Sequence, residues 1–221
     1  MWQAWGCNPG GSPNRPFSIK ETYPYSAVGD GDNLFRGVAP DYRLTGVKIF
    51  AGASGSTATS ELIEAMDWVI ANKLTYRIKV ATMSVGSSAT STTLRNAANN
   101  VVANGIPFTL SAGNDFPSST IGDPALAEKA ITVGATNDDD QMTDYSSNGP
   151  ADSGKPDVVA PGGSFNVKTA ITAADTNDDD AEVQSFPDYN RNDYQNLMGT
   201  SMATPHVGGA AALVIQALES H

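Results

Sequence analysis

Two kinds of hydrophobic pattern alternate along the middle of this chain. Residues 60–71 and 91–103 carry apolar side chains at the spacing of one helix face, which predicts two amphipathic helices. Apolar runs of strand length lie before, between and after them, at 44–50, 80–84, 106–110 and 130–134. Strands that alternate with helices favour a parallel sheet covered by helices, with ligands bound beyond the carboxyl ends of the strands. We therefore predict an α/β fold with a mostly parallel sheet flanked by helices.

A third helix is predicted to begin at or near Ser201, because Pro205 fits a first helical turn, where its missing N–H removes no hydrogen bond. The run 207–218, which is rich in Ala, Leu, Val and Ile, supports the continuation of this helix. A hydroxyl at a helix start lies among unpaired backbone N–H groups, where developing negative charge is favoured. Ser201 is therefore a candidate nucleophile, and the alternative for a serine at this place is a simple helix cap.

The residues 199–207, Gly-Thr-Ser-Met-Ala-Thr-Pro-His-Val, resemble the nucleophile motif of the subtilisin-like serine proteases at every position. Similar segments precede this motif in the order that the family has, at 37–40, 145–150 and 155–162. The resemblance extends over residues 37–218. It implies a three-layer, subtilisin-like fold, which we expect to be incomplete at the N-terminus and at the C-terminus.

The length of 221 residues suits one domain with a sizeable core. Residues 1–36 contain Pro13, Pro16 and Pro24 among many Gly, Asn and Ser residues, without helical or alternating periodicity. We therefore predict an irregular N-terminal segment there. Residues 37–221 are predicted to form a partial subtilisin-like peptidase domain.

The resemblance also implies functional roles at the ends of two predicted strands. The substrate-binding residues that it implies are Ser84, Val85, Gly86, Ser111, Ala112 and Gly113. The first three match a family segment whose extended backbone pairs with the bound peptide as an added strand. Asn114 matches the asparagine whose amide donates to the oxyanion of the reaction, whereas an isolated Gly-Asn pair indicates a turn. Ser201 and Asn114 are thus the predicted catalytic residues.

A serine hydroxyl needs a base that accepts its proton and an acid that orients the base. The sequence has only two histidines. His206 lies about 140° around the helix from Ser201 and matches a packed helix residue of the family. His221 is the last residue, so neither is assigned to catalysis, and the family's His-Gly-Thr-His motif is absent from the sequence. Asp152 begins an Asp-Ser-Gly run like the catalytic-Asp motif, but it follows the oxyanion segment, so we interpret it as a loop residue.

The resemblance implies a serine endopeptidase that hydrolyses peptide bonds, present here as a fragment without the family's catalytic Asp and His. We predict that the isolated chain is inactive or nearly so, because Ser201 has no base. Truncation, a shifted reading frame and true loss of the two residues are open explanations. The alternative function is that of a non-catalytic relative, which holds peptides without cutting them.

Acidic residues outnumber basic ones by 24 to 13, and the net charge of −11 argues against nucleic acid as a partner. The expected partner is a peptide or protein substrate. No apolar run approaches membrane-spanning length, and the start of the sequence lacks the pattern of a signal peptide. Secretion is implied only by the resemblance. Cys7 is the only cysteine, so no disulfide forms within the chain.

Asp-rich runs at 137–140 and 175–180 raise the question of calcium. The later run lacks the Gly and the final Glu of a calcium-loop pattern, and acidic runs are mostly solvated loops. Structural calcium is implied by the resemblance, elsewhere in the fold, and no metal ligand is assigned. The predicted chemistry requires no cofactor. An acidic calcium-binding surface module is the third and least favoured function.

Overall fold

A six-stranded sheet with helices on both faces dominates this computed structural model, which describes residues 2–5, 37–50, 57–87, 89–117, 120–164, 170–174 and 194–220. The strands of the sheet are β1 Trp2–Trp5, β2 Leu44–Val47, β3 Val80–Met83, β4 Phe108–Ser111, β5 Ile131–Thr136 and β6 Val158–Pro161. A separate antiparallel pair consists of β7 Ile171–Ala174 and β8 Tyr194–Leu197. The helices are α1 Thr59–Asn72, α2 Thr92–Ala103 and α3 Thr200–Glu219.

The strand order is β2-β1-β3-β4-β5-β6. The strands β3, β4, β5 and β6 run parallel to one another. β1 lies between β2 and β3 and is antiparallel to both, so β2 has the same direction as β3. The sheet is therefore parallel apart from β1, which confirms the predicted α/β fold with a mostly parallel sheet flanked by helices.

Side chains of β3 and β4 alternate between two helical layers, because successive residues of a strand point to opposite faces of the sheet. Met83 and Phe108 enter the main core together with residues of α1 and α2, among them Met66 and Leu94. Thr82 faces the opposite side, where α3 crosses the sheet. The result is a three-layer arrangement in which the carboxyl ends of β3 and β4 meet the start of α3.

One strand lies inside the segment that the sequence pattern predicts to be irregular. β1 takes its residues from 1–36, and its backbone pairs with β2 on one side and β3 on the other. The prediction is therefore wrong for Trp2–Trp5. Pairing with two neighbouring strands stabilises an extended backbone, and a run this short has no periodicity from which that pairing could be predicted.

The three predicted helices form close to their expected bounds. α2 begins after Ser91, whose hydroxyl caps the helix by accepting the Leu94 N–H. α1 begins after Ala58, which has no hydroxyl with which to cap the helix. The side chain of Glu61 takes the place of the hydroxyl cap, because its carboxylate accepts the Ala58 N–H at 3.2 Å.

Candidate active site

The candidate nucleophile, Ser201, lies in the first turn of α3. Gly199 precedes the helix with a φ of 143°, a backbone conformation that side-chain-bearing residues rarely adopt. Its carbonyl accepts the Met202 N–H at 3.0 Å and so closes the first turn. The helix therefore starts abruptly at Thr200, with Ser201 held beside the unpaired N–H groups of the helix end.

A proline inside α3 explains how Ser201 is tied to the sheet. Pro205 lies one turn inside the helix, beyond the first turn in which the sequence pattern places it. Because proline has no N–H, the Ser201 carbonyl lacks the donor that this turn of helix normally supplies. The hydroxyl of Ser84 donates to that carbonyl at 3.0 Å instead. In return, the Ser201 hydroxyl donates to the Ser84 carbonyl over a longer distance of 3.4 Å.

The side chain of Asn114 is oriented by Thr200, the residue next to the candidate nucleophile. Its Oδ1 accepts the Thr200 N–H at 2.9 Å and the Thr200 hydroxyl at 3.0 Å. The Thr200 hydroxyl also accepts the Gly113 N–H, at 3.2 Å. A backbone N–H can only donate, so the end of the Asn114 side chain that faces Thr200 is its oxygen. The amide hydrogens of Asn114 are thereby left as the donors of this side chain.

A cleft of about 360 Å³ lies beside these residues and is lined by the residues of the predicted site. All of the predicted catalytic and substrate-binding residues line it, namely Ser84, Val85, Gly86, Ser111, Ala112, Gly113, Asn114 and Ser201. They meet because β3, β4 and α3 end or begin at the same edge of the sheet. This is the edge at which parallel sheets bind their ligands.

The cleft also contains residues to which the sequence pattern assigns no role. These are Phe50, Ser87, Asp115, Thr120, Gly122, Ala125 and Thr200. Thr200 belongs to the nucleophile motif, so its place beside Ser201 was a usable signal. Residues 120–125 carry no motif, and only the path of the loop after β4 brings them to the cleft.

A neighbouring loop supports the segment that carries Asn114. The Ser147 N–H donates to the Gly113 carbonyl at 2.9 Å, and the Ser147 hydroxyl accepts the Asp115 N–H at 3.0 Å. The Tyr145 carbonyl accepts the next N–H along, that of Phe116, at 3.3 Å. The family-like segment 145–150 thus holds the backbone on both sides of Asn114.

No histidine is among the residues that line the cleft in the described part of the chain. Nδ1 of His206 lies 2.9 Å from the Met202 carbonyl, an acceptor, so Nδ1 carries the hydrogen. Burial lowers the pKa of His206 below its ordinary value, against the opposing effect of this hydrogen bond. Asp152 lies in an exposed turn, as predicted. His221 lies outside the described residues.

Within the described ranges, no group of three or more His, Cys, Asp or Glu residues is placed to hold a metal ion. The acidic run at 137–140 forms a surface turn in which the Asn137 side chain accepts the N–H groups of Asp139 and Gln141 at 3.0 and 2.9 Å. The Asp-rich run at 175–180 and Cys7 lie outside the described residues. None of the helices described here is long and apolar enough to span a membrane.

Comparison with known proteins links this site to one family. The model of the Subtilase family matches residues 25–220. Alkaline elastase YaB of Bacillus sp. (strain YaB) is 36% identical over 180 residues, which are 81% of this chain and 40% of that protein. Subtilisin Savinase of Lederbergia lenta is 37% identical over 180 residues, which are 81% of this chain and 56% of that protein.

Two solved structures share the fold. Sphericase aligns with a TM-score of 0.72 and 28% identity over 89% of this chain and 62% of its own. A cold adapted subtilisin-like serine proteinase aligns with a TM-score of 0.65 and 31% identity over 87% of this chain and 59% of its own. The chain thus spans 40% and 56% of the lengths of the two curated relatives named above.

Proposed function

The chain belongs to the subtilase family, and from this premise we propose that it forms part of a serine endopeptidase whose nucleophile is Ser201. The observation that carries the proposal is the contact between Thr200 and the Asn114 side chain, next to Ser201. Two hydrogen bonds from Thr200 occupy the oxygen of the Asn114 side chain and leave its amide hydrogens as donors at the cleft. A nucleophile next to a prepared hydrogen-bond donor is the arrangement that acyl transfer requires.

In the proposed reaction, Oγ of Ser201 attacks the carbonyl carbon of the scissile peptide bond. The carbonyl oxygen takes up the negative charge, and the Asn114 amide and the Ser201 N–H donate to it. The Ser201 N–H belongs to the first turn of α3, where helical N–H groups have no acceptor within the helix. The positive end of the α3 dipole favours the same charge. This chemistry uses no cofactor.

The substrate backbone is proposed to lie between residues 84–86 and 111–113. Both segments line the cleft just beyond the ends of β3 and β4. An extended peptide placed there can pair with them as an added strand. The proposed partners are accordingly peptides or proteins, and secretion is proposed on the family relationship alone.

The proton of Ser201 needs an acceptor, and no histidine lines the described part of the cleft to provide one. His206 lies farther along α3 with its Nδ1 hydrogen donated to a backbone carbonyl, and the only other histidine of the sequence is His221. We therefore propose that the base and its acid come from polypeptide other than these 221 residues. Loss of the triad lowers kcat by about 10⁶ in subtilisin, a member of this family, and we carry that magnitude over.

Purified chain, incubated with a quenched fluorogenic peptide library, tests this directly. We expect negligible turnover that is the same in the Ser201→Ala variant, because neither protein has a base for the hydroxyl. Robust turnover that disappears in Ser201→Ala would mean that a group within the 221 residues acts as the base.

The role of Asn114 is tested in the complete protein, with the base and acid present. Asn114→Ala should lower kcat by about 10²–10³ with little change in KM, the loss seen on removing the oxyanion donor of subtilisin itself. The matched control is Asn99→Ala, a change of the same kind on α2, where the amide donates to Glu128 at the surface. A rise in KM alone for Asn114→Ala would contradict the oxyanion role.

A non-catalytic peptide-binding protein is the second candidate function. It is favoured by one observation, that no histidine lines the described cleft. The two functions differ in the complete protein: the protease shows turnover that depends on Ser201, whereas the binding protein retains peptides intact and binds them equally well after Ser201→Ala.

A further inference from the structure

A fully buried carboxylate lies directly behind one wall of the cleft. The Asp123 side chain has 0% exposure, and that of Arg95 has 26%. Oδ1 of Asp123 accepts from Nε of Arg95 at 2.9 Å, and Oδ2 accepts from Nη2 at 3.1 Å. Oδ2 also accepts the N–H of Ser91, the N-cap of α2, at 2.7 Å. Burying a carboxylate is unfavourable unless it is paired and hydrogen-bonded, and here both oxygens are satisfied.

The backbone of Asp123 joins the two walls of the cleft. Its carbonyl accepts the Ser87 N–H at 3.0 Å, and its own N–H donates to the Ala89 carbonyl at 3.4 Å. Ser87 continues the segment 84–86, to which substrate pairing is assigned above. On the other side of Asp123 in the chain, Gly122 and Ala125 line the cleft. A single buried residue therefore sets the distance between segments 84–87 and 120–125.

Arg95 fixes Asp123 to a rigid element. It projects from the first turn of α2, whose Leu94 and Val101 are packed in the main core. Its guanidinium meets both carboxylate oxygens, a geometry that holds orientation as well as position. The ion pair thus anchors the junction of the two cleft walls to α2.

We propose that Arg95 and Asp123 are positioning residues that set the width of the substrate cleft, so that a large apolar side chain of the bound peptide fits between residues 84–87 and 120–125. This inference rests on the peptide-binding cleft proposed above. Val85, Ala112 and Ala125 line this cleft, and their apolar side chains suit an apolar side chain of the peptide. The buried carboxylate itself faces Arg95 and Ser91, so it is neutralised behind the wall and does not select a basic side chain.

Peptide binding by the full 221-residue chain tests the proposal through selectivity between two peptides. The probes are N-terminally fluorescein-labelled Ala-Ala-Phe-Ala-Ala and Ala-Ala-Ala-Ala-Ala, and fluorescence anisotropy gives their Kd values. The single Phe can reach the cleft by a shift of the peptide along the strand-pairing segments. Wild-type chain should bind the Phe peptide at least about tenfold more tightly.

Three variants separate positioning from folding. Arg95→Met removes the guanidinium and leaves Asp123 buried without its cation, so this variant is destabilised by the unpaired charge. The double variant Arg95→Met with Asp123→Asn removes both charges and decides the question if the single variant unfolds. Arg95→Lys restores the charge without the two-pronged geometry. Lys79→Met is the matched control, because it breaks an exposed ion pair with Glu219.

We expect the folded double variant to lose about tenfold in affinity for the Phe peptide and less than about twofold for the alanine peptide. Arg95→Lys should retain an intermediate selectivity, and Lys79→Met should bind both peptides as the wild type does. Equal affinity of wild type and double variant for the Phe peptide, or an equal loss for both peptides, would overturn the inference. If the wild-type chain binds neither peptide, the proposed peptide cleft itself is wrong, and the inference falls with it.

Discussion

Substitution of Gly208 by alanine probes how closely α3 packs on the sheet. Gly208 is buried on α3, and a Cβ atom at this position would lie 2.3 Å from Oγ1 of Thr82 and 3.4 Å from Oγ1 of Thr109. Those two hydroxyls share a buried hydrogen bond of 2.9 Å across β3 and β4. The threonines belong to paired strands in the middle of the sheet, so their backbone has little freedom to withdraw.

Two opposing effects determine the result for Gly208→Ala. Alanine is favoured over glycine inside a helix by about 1 kcal/mol. The 2.3 Å approach lies far inside van der Waals contact, and inserting a methyl group into a packed interior costs about 1–3 kcal/mol. Rotation of Thr82 away from the methyl group would also give up its bond to Thr109, worth about 1 kcal/mol. We therefore expect a net loss of about 1–2 kcal/mol in the free energy of unfolding.

Urea unfolding followed by circular dichroism measures this loss. An unchanged m-value would show that the surface area exposed on unfolding is the same in the variant and the wild type. Ala210→Gly, at an exposed position of the same helix, is the control for propensity and should cost about 1 kcal/mol. In a Thr82→Ala background the obstructing hydroxyl is gone, so Gly208→Ala should become stabilising. A gain of about 1 kcal/mol from Gly208→Ala in the otherwise wild-type chain would refute the close packing of α3 on β3.

Two further predictions concern groups around the site. Burial lowers the pKa of His206 in the folded chain, so the unfolded chain binds the proton first as the pH falls below about 6.5, and the free energy of unfolding decreases. In urea unfolding between about pH 7 and 5, His206→Gln should remove this part of the decrease. An identical decrease in both proteins would contradict this expectation. The Tyr145 hydroxyl donates to the carbonyls of Gly163 at 2.6 Å and Gly162 at 3.0 Å. Tyr145→Phe should therefore lower the free energy of unfolding by about 1–2 kcal/mol. An unchanged midpoint of urea unfolding would show that these bonds contribute nothing to stability.

The sequence by itself determined the elements whose signals are local. Helices α1 and α2 could be predicted because apolar residues at a helical period must face a core wherever the helix packs. Helix α3 could be predicted from its composition, a run rich in Ala, Leu, Val and Ile that follows Pro205. The candidate nucleophile could be proposed for the same reason of locality, since the residues around Ser201 that shape the start of its helix are contiguous. The caps of α1 and α2 are also local contacts, because Ser91 accepts the Leu94 N–H and Glu61 accepts the Ala58 N–H, each three residues away.

Only the tertiary structure decided which distant groups meet. The bond from Ser84 to the Ser201 carbonyl joins residues 117 positions apart, and the bond from Thr200 to Asn114 joins residues 86 positions apart. Neither bond leaves a periodic signal, because its formation depends on strand order and on where α3 crosses the sheet. The place of β1 between β2 and β3 is of the same kind. Apolar residues at a regular spacing indicate which face of a helix or strand is buried. The partner in a long-range hydrogen bond depends instead on the topology, because the topology brings the two chain segments together.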